Sequence, residues 1–209
     1  ITLAKGGNYI IDEGDLRYIV LAPNRDDYSE TNNFSIVTKL EYKNNSFIIT
    51  GDAEKESELD MINNDYHLQA NVLKVGHHGS STSSTDEFIE AVDPEYFVIS
   101  VGKDNTYGHP HKEILDTFNN TGSNILRTDQ VGDIVFLSDG YEIILLKEYN
   151  IESFNKYFYI GNKNTKVVHS KDCGSLPMEE NQIKFSSLKE AIENGYKPHE
   201  KCIIQEGVH

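Results

Sequence analysis

The chain has 209 residues, of which 37% are hydrophobic and 25% are charged, and this composition is typical of a folded protein rather than of a disordered one. The formal net charge is -15, and repulsion from phosphate backbones argues against a constitutive DNA-binding module. An enzyme that meets phosphodiesters through bound metal ions stays compatible with this charge, because a bound ion dominates the local field. No apolar run approaches the roughly 20 residues that a membrane-spanning helix needs.

The N-terminal region alternates apolar and polar residues, which indicates strands. In chain order we expect a hairpin or two strands in residues 1–22, a polar loop from Asn24 to Asn33, and an antiparallel pair formed by residues 34–42 and 47–50 around a turn at Asn44 and Asn45. A helix is predicted next, at residues 53–63, and Asp52 is its expected N-cap.

The following segments alternate short apolar runs with helical ones, the order typical of an α/β protein. Strands are predicted at 72–75 and 96–101, helices at 85–92 and 112–118, and terminal strands at 124–127, 133–137 and 141–146. A polar stretch at 148–156 is the expected boundary, so we place one domain at 1–150 and a small α+β module at 156–209. Within that module a helix at 187–194 is expected to end at Gly195 in a left-handed cap.

Three of the predicted strands are followed by Asp or His, residue types that commonly bind metal ions. The strand at 47–50 ends at Gly51-Asp52, the strand at 72–75 ends at His77-His78, and the strand at 96–101 leads into a loop that carries His109. The ends of successive strands in a layered sheet can converge on one rim. A carboxylate and several imidazoles that meet there would hold a divalent metal ion.

Several of these residues also have a purely structural interpretation. A lone Asp such as Asp52 is more often a helix N-cap, although one carboxylate oxygen can cap while the other binds metal. His111 can simply begin the helix at 112–118, so His109 is the favoured functional imidazole of its loop. Tyr107 can stack on a substrate or pack against the protein, and Ser80 belongs to a run of hydroxyl residues that suits a loop beside an anionic substrate.

Four segments resemble, in order and spacing, the hydrolase domain of ComEC-type competence proteins, a branch of the metallo-β-lactamase superfamily. These segments are 31–37, 47–52, 73–80 and 100–111, and Arg127-Thr128-Asp129 also fits the family's pattern. The resemblance covers about residues 1–147 and implies an αβ/βα sandwich, of which this chain would hold the second half. The superfamily's leading His-x-His-x-Asp-His signature is absent from the chain, so we expect an upstream segment that carries it and completes the sandwich.

The resemblance also implies roles for individual residues. Asp52 would bridge two divalent metals, zinc or manganese, and one of His77 and His78 would bind metal while the other contacts the leaving group. His109 would lie on the substrate side, so that Asp52, His77 and His109 are the expected catalytic residues, and Asn33 would lie near the site. The implied substrate is a phosphodiester, with nucleic acid as the family's substrate class. The family favours a location outside the cytoplasmic membrane, and a cytoplasmic location is left open.

A second metal-binding pattern lies in the C-terminal module. His169 and Cys173 form an H-x3-C pair, and His199 and Cys202 form an H-x2-C pair. Two such pairs suit a closed tetrahedral zinc site, and a module of about fifty residues has too small a core to be stable without such a staple. The alternative is a disulfide between Cys173 and Cys202 with two incidental histidines.

Residues 157–203 resemble the metal-binding domain of Ada DNA-repair proteins, in the spacing of these pairs and in Tyr159–Asn162 and Gly195–Pro198. In the Ada protein itself the site acts through an activated cysteine, and that chemistry is not carried over to this chain. A Cys2His2 set has less thiolate character than a cysteine-rich one, so these four residues favour a structural zinc ion.

Two classes of function follow from the sequence. The leading hypothesis is a binuclear metal-dependent phosphodiesterase with an appended zinc module. The rival is a catalytically incomplete binding or targeting protein, whose zinc module attaches to DNA or to a protein partner. The sequence carries no signal of the oligomeric state.

Overall fold

The computed structural model describes residues 3–146, 159–171, 173–185 and 188–203. The chain divides into two compact units, Ile1–Lys147 and Glu148–His209. The expected boundary at 148–156 lies outside the described residues.

The first unit is built on a seven-stranded sheet whose strands follow one another in chain order. The first four strands pair antiparallel, as the alternating sequence predicts, and the last four pair parallel. The strands are β1 (Tyr9–Glu13), β2 (Leu16–Ala22), β3 (Val37–Tyr42), β4 (Asn45–Ile49), β5 (Val72–Lys74), β6 (Tyr96–Ile99) and β7 (Asn124–Arg127). The parallel strands β4 to β7 therefore end at the same edge of the sheet.

Three helices connect the parallel strands: α1 (Lys55–Asn63), α2 (Asp86–Val92) and α3 (Lys112–Thr121). A fourth, α4 (Thr128–Val131), follows β7. The short α4 was not predicted. The hydroxyl of Thr85 caps α2 by accepting from the N–H of Phe88, and Gly122 ends α3 with a φ of 81°. The prediction that Asp52 caps α1 is wrong, because the helix begins at Lys55 and Glu54 occupies the N-cap position.

The two faces of the sheet are covered differently. One face packs against the three longer helices through buried residues such as Ile48, Leu73 and Phe97, and Phe97 stacks on Phe118 with ring centroids 3.9 Å apart. On the opposite face lie the alternate residues, among them Phe47, Ile49 and Tyr96.

That second face is covered in part by a two-stranded antiparallel sheet, formed by β8 (Val135–Ser138) and β9 (Ile143–Leu146). Phe136 of β8 contacts Phe47 and Tyr96 edge-on, at centroid distances of 6.4 and 5.2 Å. Ile49 nevertheless remains 39% exposed. The unit is thus a mixed α/β layer with helices on one face and the start of a second β layer on the other.

The C-terminal unit is a small α+β fold. Its four-stranded sheet has the order β12-β10-β11-β13, with β10 at Tyr159–Asn162, β11 at Val167–Ser170, β12 at Gln182–Phe185 and β13 at Lys197–Pro198. One helix, α5 (Leu188–Glu193), packs over it, and Gly195 beyond its end has a φ of +83°, as predicted. The predicted first residue of this helix, Ser187, lies outside the described residues.

Candidate functional site

The ends of β4, β5 and β6 bring the predicted site residues of the first unit together. The Nε2 atom of His78 lies 3.7 Å from Oδ1 of Asp52. The ring centroids of His77 and His109 are 5.5 Å apart, and those of His109 and His111 are 4.7 Å apart. One carboxylate and four imidazoles thus line a single rim of the sheet.

The backbone of the paired histidines is strained. His77 and His78 both have positive φ values, 47° and 55°, which are uncommon for residues other than glycine. The turn is held in place because the N–H of His77 donates to the carbonyl of Gly51, 3.0 Å away. Gly79 closes it against Pro110, whose Cβ would lie only 2.6 Å from a Cβ at position 79. Strain of this kind persists only where surrounding contacts enforce it, and it is concentrated at functional sites.

The hydrogen-bond network orients His78 towards Asp52. Nδ1 of His78 lies 2.6 Å from the carbonyl oxygen of Ser100, which can only accept, so the network assigns the proton of the neutral ring to Nδ1. The lone pair on Nε2 is then free on the side of Asp52. A metal-binding histidine is commonly held in this way by a carbonyl on its other nitrogen.

His77 is oriented by Glu54, a residue that the sequence analysis did not select. Oε1 of Glu54 lies 3.2 Å from Nδ1 of His77 and accepts from the hydroxyl of Thr82 at 2.8 Å and from the amide of Asn32 at 3.1 Å. Burial alone would raise the pKa of Glu54, but these hydrogen bonds and the charge of His77 lower it, which keeps the group a carboxylate. The only signal in the sequence is its position two residues after Asp52.

His109 is held by a closed loop. The side-chain amide of Asn105 donates to the carbonyls of Gly102 and His109 and accepts from the N–H of His109, at 3.1, 2.9 and 3.0 Å. Burial lowers the pKa of His109, and the neighbouring imidazoles, His111 first, lower it further against the opposing effect of Asp52. The ring is therefore favoured in its neutral form.

A cavity of about 430 Å³ opens beside this loop. Tyr107 is 80% exposed at its edge and stacks on His109, with ring centroids 5.9 Å apart. On the cavity wall the hydroxyl of Thr128 accepts from the N–H of Val101 at 2.8 Å, which fixes the segment that follows β6. The cavity is lined by His78, Ser100, Val101, Gly102, Asn105, Tyr107, His109 and Thr128.

The two remaining predicted substrate residues do not face this cavity. Asn33 is 2% exposed, and its Oδ1 accepts from the N–H groups of Glu54 and Ser57, both at 3.1 Å. It therefore performs the capping role that was predicted for Asp52. Ser80 is also buried, and its hydroxyl is bonded to that of Thr82 at 3.1 Å.

The donor chemistry of the rim suits a metal, but the donor set is incomplete. Asp52 and His78 supply two facing donor atoms, whereas zinc requires about four ligands. Among the described residues, this facing pair thus supplies about half of the ligands of a zinc site.

The C-terminal unit holds a complete set. The donor atoms of His169, Cys173, His199 and Cys202 all lie within 4.8 Å of one another, and among the described residues no other group of three or more such side chains does so. Nδ1 of His169 is 3.4 Å from Sγ of Cys173, and Nδ1 of His199 is 3.2 Å from Sγ of Cys202. A tetrahedral site with metal–ligand distances of about 2.2 Å has ligands about 3.6 Å apart, so this set fits zinc.

The protonation of this cluster agrees with metal binding. Burial and the neighbouring His199 lower the pKa of His169, which favours the neutral imidazole that a metal requires. Burial and the adjacent Cys173 raise the pKa of Cys202, an effect that a bound cation would reverse. Both cysteines are free thiols in the structure, not a disulfide.

Comparison with known proteins gives two family matches. Residues 28–103 match the family described as "Metallo-beta-lactamase superfamily", and residues 147–203 match "Metal binding domain of Ada". Among the described residues, none of the helices is both long and apolar enough to cross a membrane.

Similar proteins carry names that refer to competence and recombination. The chain is 43% identical over 122 residues to "ComE operon protein 3" of Bacillus subtilis (strain 168), covering 58% of this chain and 16% of that protein. It is 34% identical over 117 residues to "Competence protein ComA" of Neisseria gonorrhoeae, covering 56% and 17%. It is 30% identical over 130 residues to "Recombination protein 2" of Haemophilus influenzae, covering 61% and 16%.

The chain thus spans less than a fifth of the length of these curated relatives. By these matches the chain combines a region similar to the metallo-β-lactamase superfamily and to competence proteins with a region similar to the metal-binding domain of Ada.

Proposed function

We propose that the first unit is part of the catalytic domain of a metal-dependent phosphodiesterase that acts on nucleic acid. The observation that carries the proposal is the facing pair of Asp52 Oδ1 and His78 Nε2 at the ends of adjacent parallel strands. The names of the relatives, which refer to competence and recombination, support nucleic acid as the substrate class.

In this proposal Asp52 and His78 bind metal, and Asp52 bridges two ions. The remaining ligands come from an upstream segment with the His-x-His-x-Asp-His signature, which also packs on the partly open face around Ile49. Bound divalent ions would polarise a phosphoryl oxygen and acidify water at neutral pH. A location outside the cytoplasmic membrane is part of the same proposal and rests on the family resemblance alone.

The other residues of the rim act on the substrate. Glu54 accepts from Nδ1–H of His77, so it is the imidazolium form of this ring that would carry a second proton on Nε2 and deliver it to the leaving oxygen. His109, favoured as a neutral ring, contacts the substrate from the cavity wall. The exposed ring of Tyr107 offers a surface on which a base can stack, a contact that contributes about 1–3 kcal/mol per base.

Substitutions in the intact protein separate these roles. Asp52→Ala should abolish manganese-dependent hydrolysis of bis(p-nitrophenyl) phosphate and of a labelled oligonucleotide. Asp26→Ala, which removes an exposed carboxylate from the loop after β2, should leave hydrolysis unchanged. His78→Ala should lower the number of bound metal ions, and His77→Ala should slow hydrolysis with the metal content intact. Full activity of the Asp52 variant would rule out the bridging role.

We also propose that the C-terminal cluster holds one structural zinc ion. The support is the fit of two imidazoles and two thiols to a closed tetrahedron, which leaves no open position for a substrate. Because the core of this unit comprises few residues, zinc binding would supply much of its folding free energy.

One observation favours the rival function, a binding or targeting protein. Among the described residues the complete donor set lies in the C-terminal unit and not at the rim of the first unit. Metal stoichiometry distinguishes the two functions, because a binding protein would hold one zinc ion per chain and a binuclear hydrolase would hold two further ions.

A further inference from the structure

His111 is tied to the loop of the paired histidines at two points. Its backbone N–H donates to the carbonyl of Gly79 at 2.9 Å, and its Nδ1 accepts from the N–H of Ser81 at 3.0 Å. The hydroxyl of Ser81 lies 3.0 Å from the same nitrogen. The imidazole is thus fixed relative to His77 and His78, although it follows a different strand.

These bonds determine which nitrogen of His111 carries the proton. A backbone N–H can only donate, so Nδ1 of His111 must present its lone pair to Ser81. The network therefore assigns the proton of the neutral ring to Nε2. No hydrogen-bond partner of Nε2 is found among the residues that the structure describes.

The neighbouring histidines have the opposite arrangement. Nδ1 of His78 faces the carbonyl of Ser100, and Nδ1 of His77 faces the carboxylate of Glu54, so both rings leave a lone pair on Nε2 when they are neutral. A neutral ring of this kind accepts at Nε2, as the proposed metal ligand His78 does, whereas a ring with its proton on Nε2 can only donate there. When neutral, His77 and His78 are therefore acceptors at Nε2, and His111 is a donor.

The donor position is next to the substrate side of the rim. The ring of His111 contacts that of His109 edge-on, at a centroid distance of 4.7 Å, and it is half-buried. Resting on the proposed function, we infer that His111 is a substrate-binding residue that donates its Nε2–H to a phosphoryl oxygen. Hydrogen bonds to charged oxygens are short and strong, so a donor held in one tautomer also selects the orientation of the phosphoryl group.

If His111 only held the loop at Ser81 in place, Nδ1 alone would matter. Two substitutions test the roles of Nδ1 and Nε2 separately. His111→Asn places an amide oxygen near the position of Nδ1, which keeps an acceptor for Ser81 and removes the Nε2 donor. His111→Gln reaches the position of Nε2 with an N–H and loses the acceptor for Ser81. The pair forms a matched test, because both residues are neutral amides.

The experiment measures hydrolysis of bis(p-nitrophenyl) phosphate by the intact, metal-loaded protein. We expect the KM of His111→Asn to rise about tenfold, because one hydrogen bond to a charged group is lost. The amount of bound metal should be unchanged. His111→Gln should keep a KM near that of the wild type with a lower melting temperature. A normal KM for the Asn variant, or a KM that rises only for the Gln variant, would show that His111 has a purely structural role and would overturn the inference.

Nitrogen-15 NMR of the imidazoles provides a readout that does not depend on turnover. His111 should show protonated Nε2 and unprotonated Nδ1, and added inorganic phosphate should shift the Nε2–H signal in the wild type. If the phosphodiesterase proposal failed, the diester would not be hydrolysed, but the tautomer and the phosphate-induced shift would remain. Protonation of His111 at Nδ1 in the neutral ring would refute the donor assignment itself.

Discussion

Replacing Glu54 by glutamine tests whether the orientation of His77 depends on a carboxylate. One oxygen of Glu54 accepts from Thr82 and Asn32 and lies beside Nδ1 of His77, and the side chain is 14% exposed. Hydrogen bonds to a charged acceptor contribute about 1.5–3 kcal/mol each. Glutamine keeps the shape but replaces one oxygen by an N–H2 group, so at least one bond weakens or becomes a donor–donor contact.

We therefore expect Glu54→Gln to lower the free energy of unfolding by about 2 kcal/mol and to reduce kcat by about 10- to 100-fold, with bound metal unchanged. Urea unfolding at neutral pH and turnover of bis(p-nitrophenyl) phosphate measure the two effects. Glu56→Gln is the matched control, since Glu56 lies two residues further on, in the first turn of α1, with its side chain 44% exposed and paired with Arg25 at the surface. Equal stability and equal kcat for the two variants would refute the role assigned to Glu54.

Three further predictions follow from packing, metal binding and burial. Gly79→Ala should destabilise the protein by more than about 1 kcal/mol, because Gly79 has a φ of +85° and a Cβ at this position would lie 2.6 Å from Cβ of Pro110. A Cβ at Gly102 would meet open space, so Gly102→Ala should have the melting temperature of the wild type. Cys173→Ala, or a chelator, should release zinc and make the C-terminal unit sensitive to protease while the first unit stays resistant; an unchanged digestion pattern would contradict a structural zinc. Burial raises the pKa of Glu58, so the folded state binds its proton more tightly than the unfolded state, and the stability of the wild type relative to Glu58→Gln should fall as the pH rises from the acid range towards neutrality. Urea unfolding of both proteins across that range checks the sign, and a difference that grows with pH would be inconsistent with it.

Much of the fold follows from the sequence because the signals are local. Short apolar runs that end near a glycine predict β4, β5 and β6. Between these runs, the spacing of the apolar residues predicts the helices. The convergence of Asp52 with the paired histidines follows from the parallel order of these strands. The separate sheet formed by β8 and β9 does not follow, since its contact with Phe47 and Tyr96 depends on tertiary packing.

The sequence predicts which residues lie in the site better than it predicts what each of them does there. The sequence makes Asp52 a good helix cap, but Asn33 takes that role from a separate segment and leaves Asp52 to face His78. Likewise His77 and His78 are identical in type and adjacent in sequence, and only their partners distinguish them.

His111 is a further case, because from the sequence alone it is interpreted as the start of a helix. Its position before α3 is consistent with that interpretation, and in fact it occupies the N-cap without a side-chain capping bond. What the sequence cannot contain is the contact with Ser81, thirty residues away, that fixes the tautomer. The chemistry open to an imidazole depends on which nitrogen carries the proton, and here backbone groups from other segments decide it. The carbonyl of Ser100 leaves a lone pair on Nε2 of His78, and the N–H of Ser81 leaves a proton on Nε2 of His111.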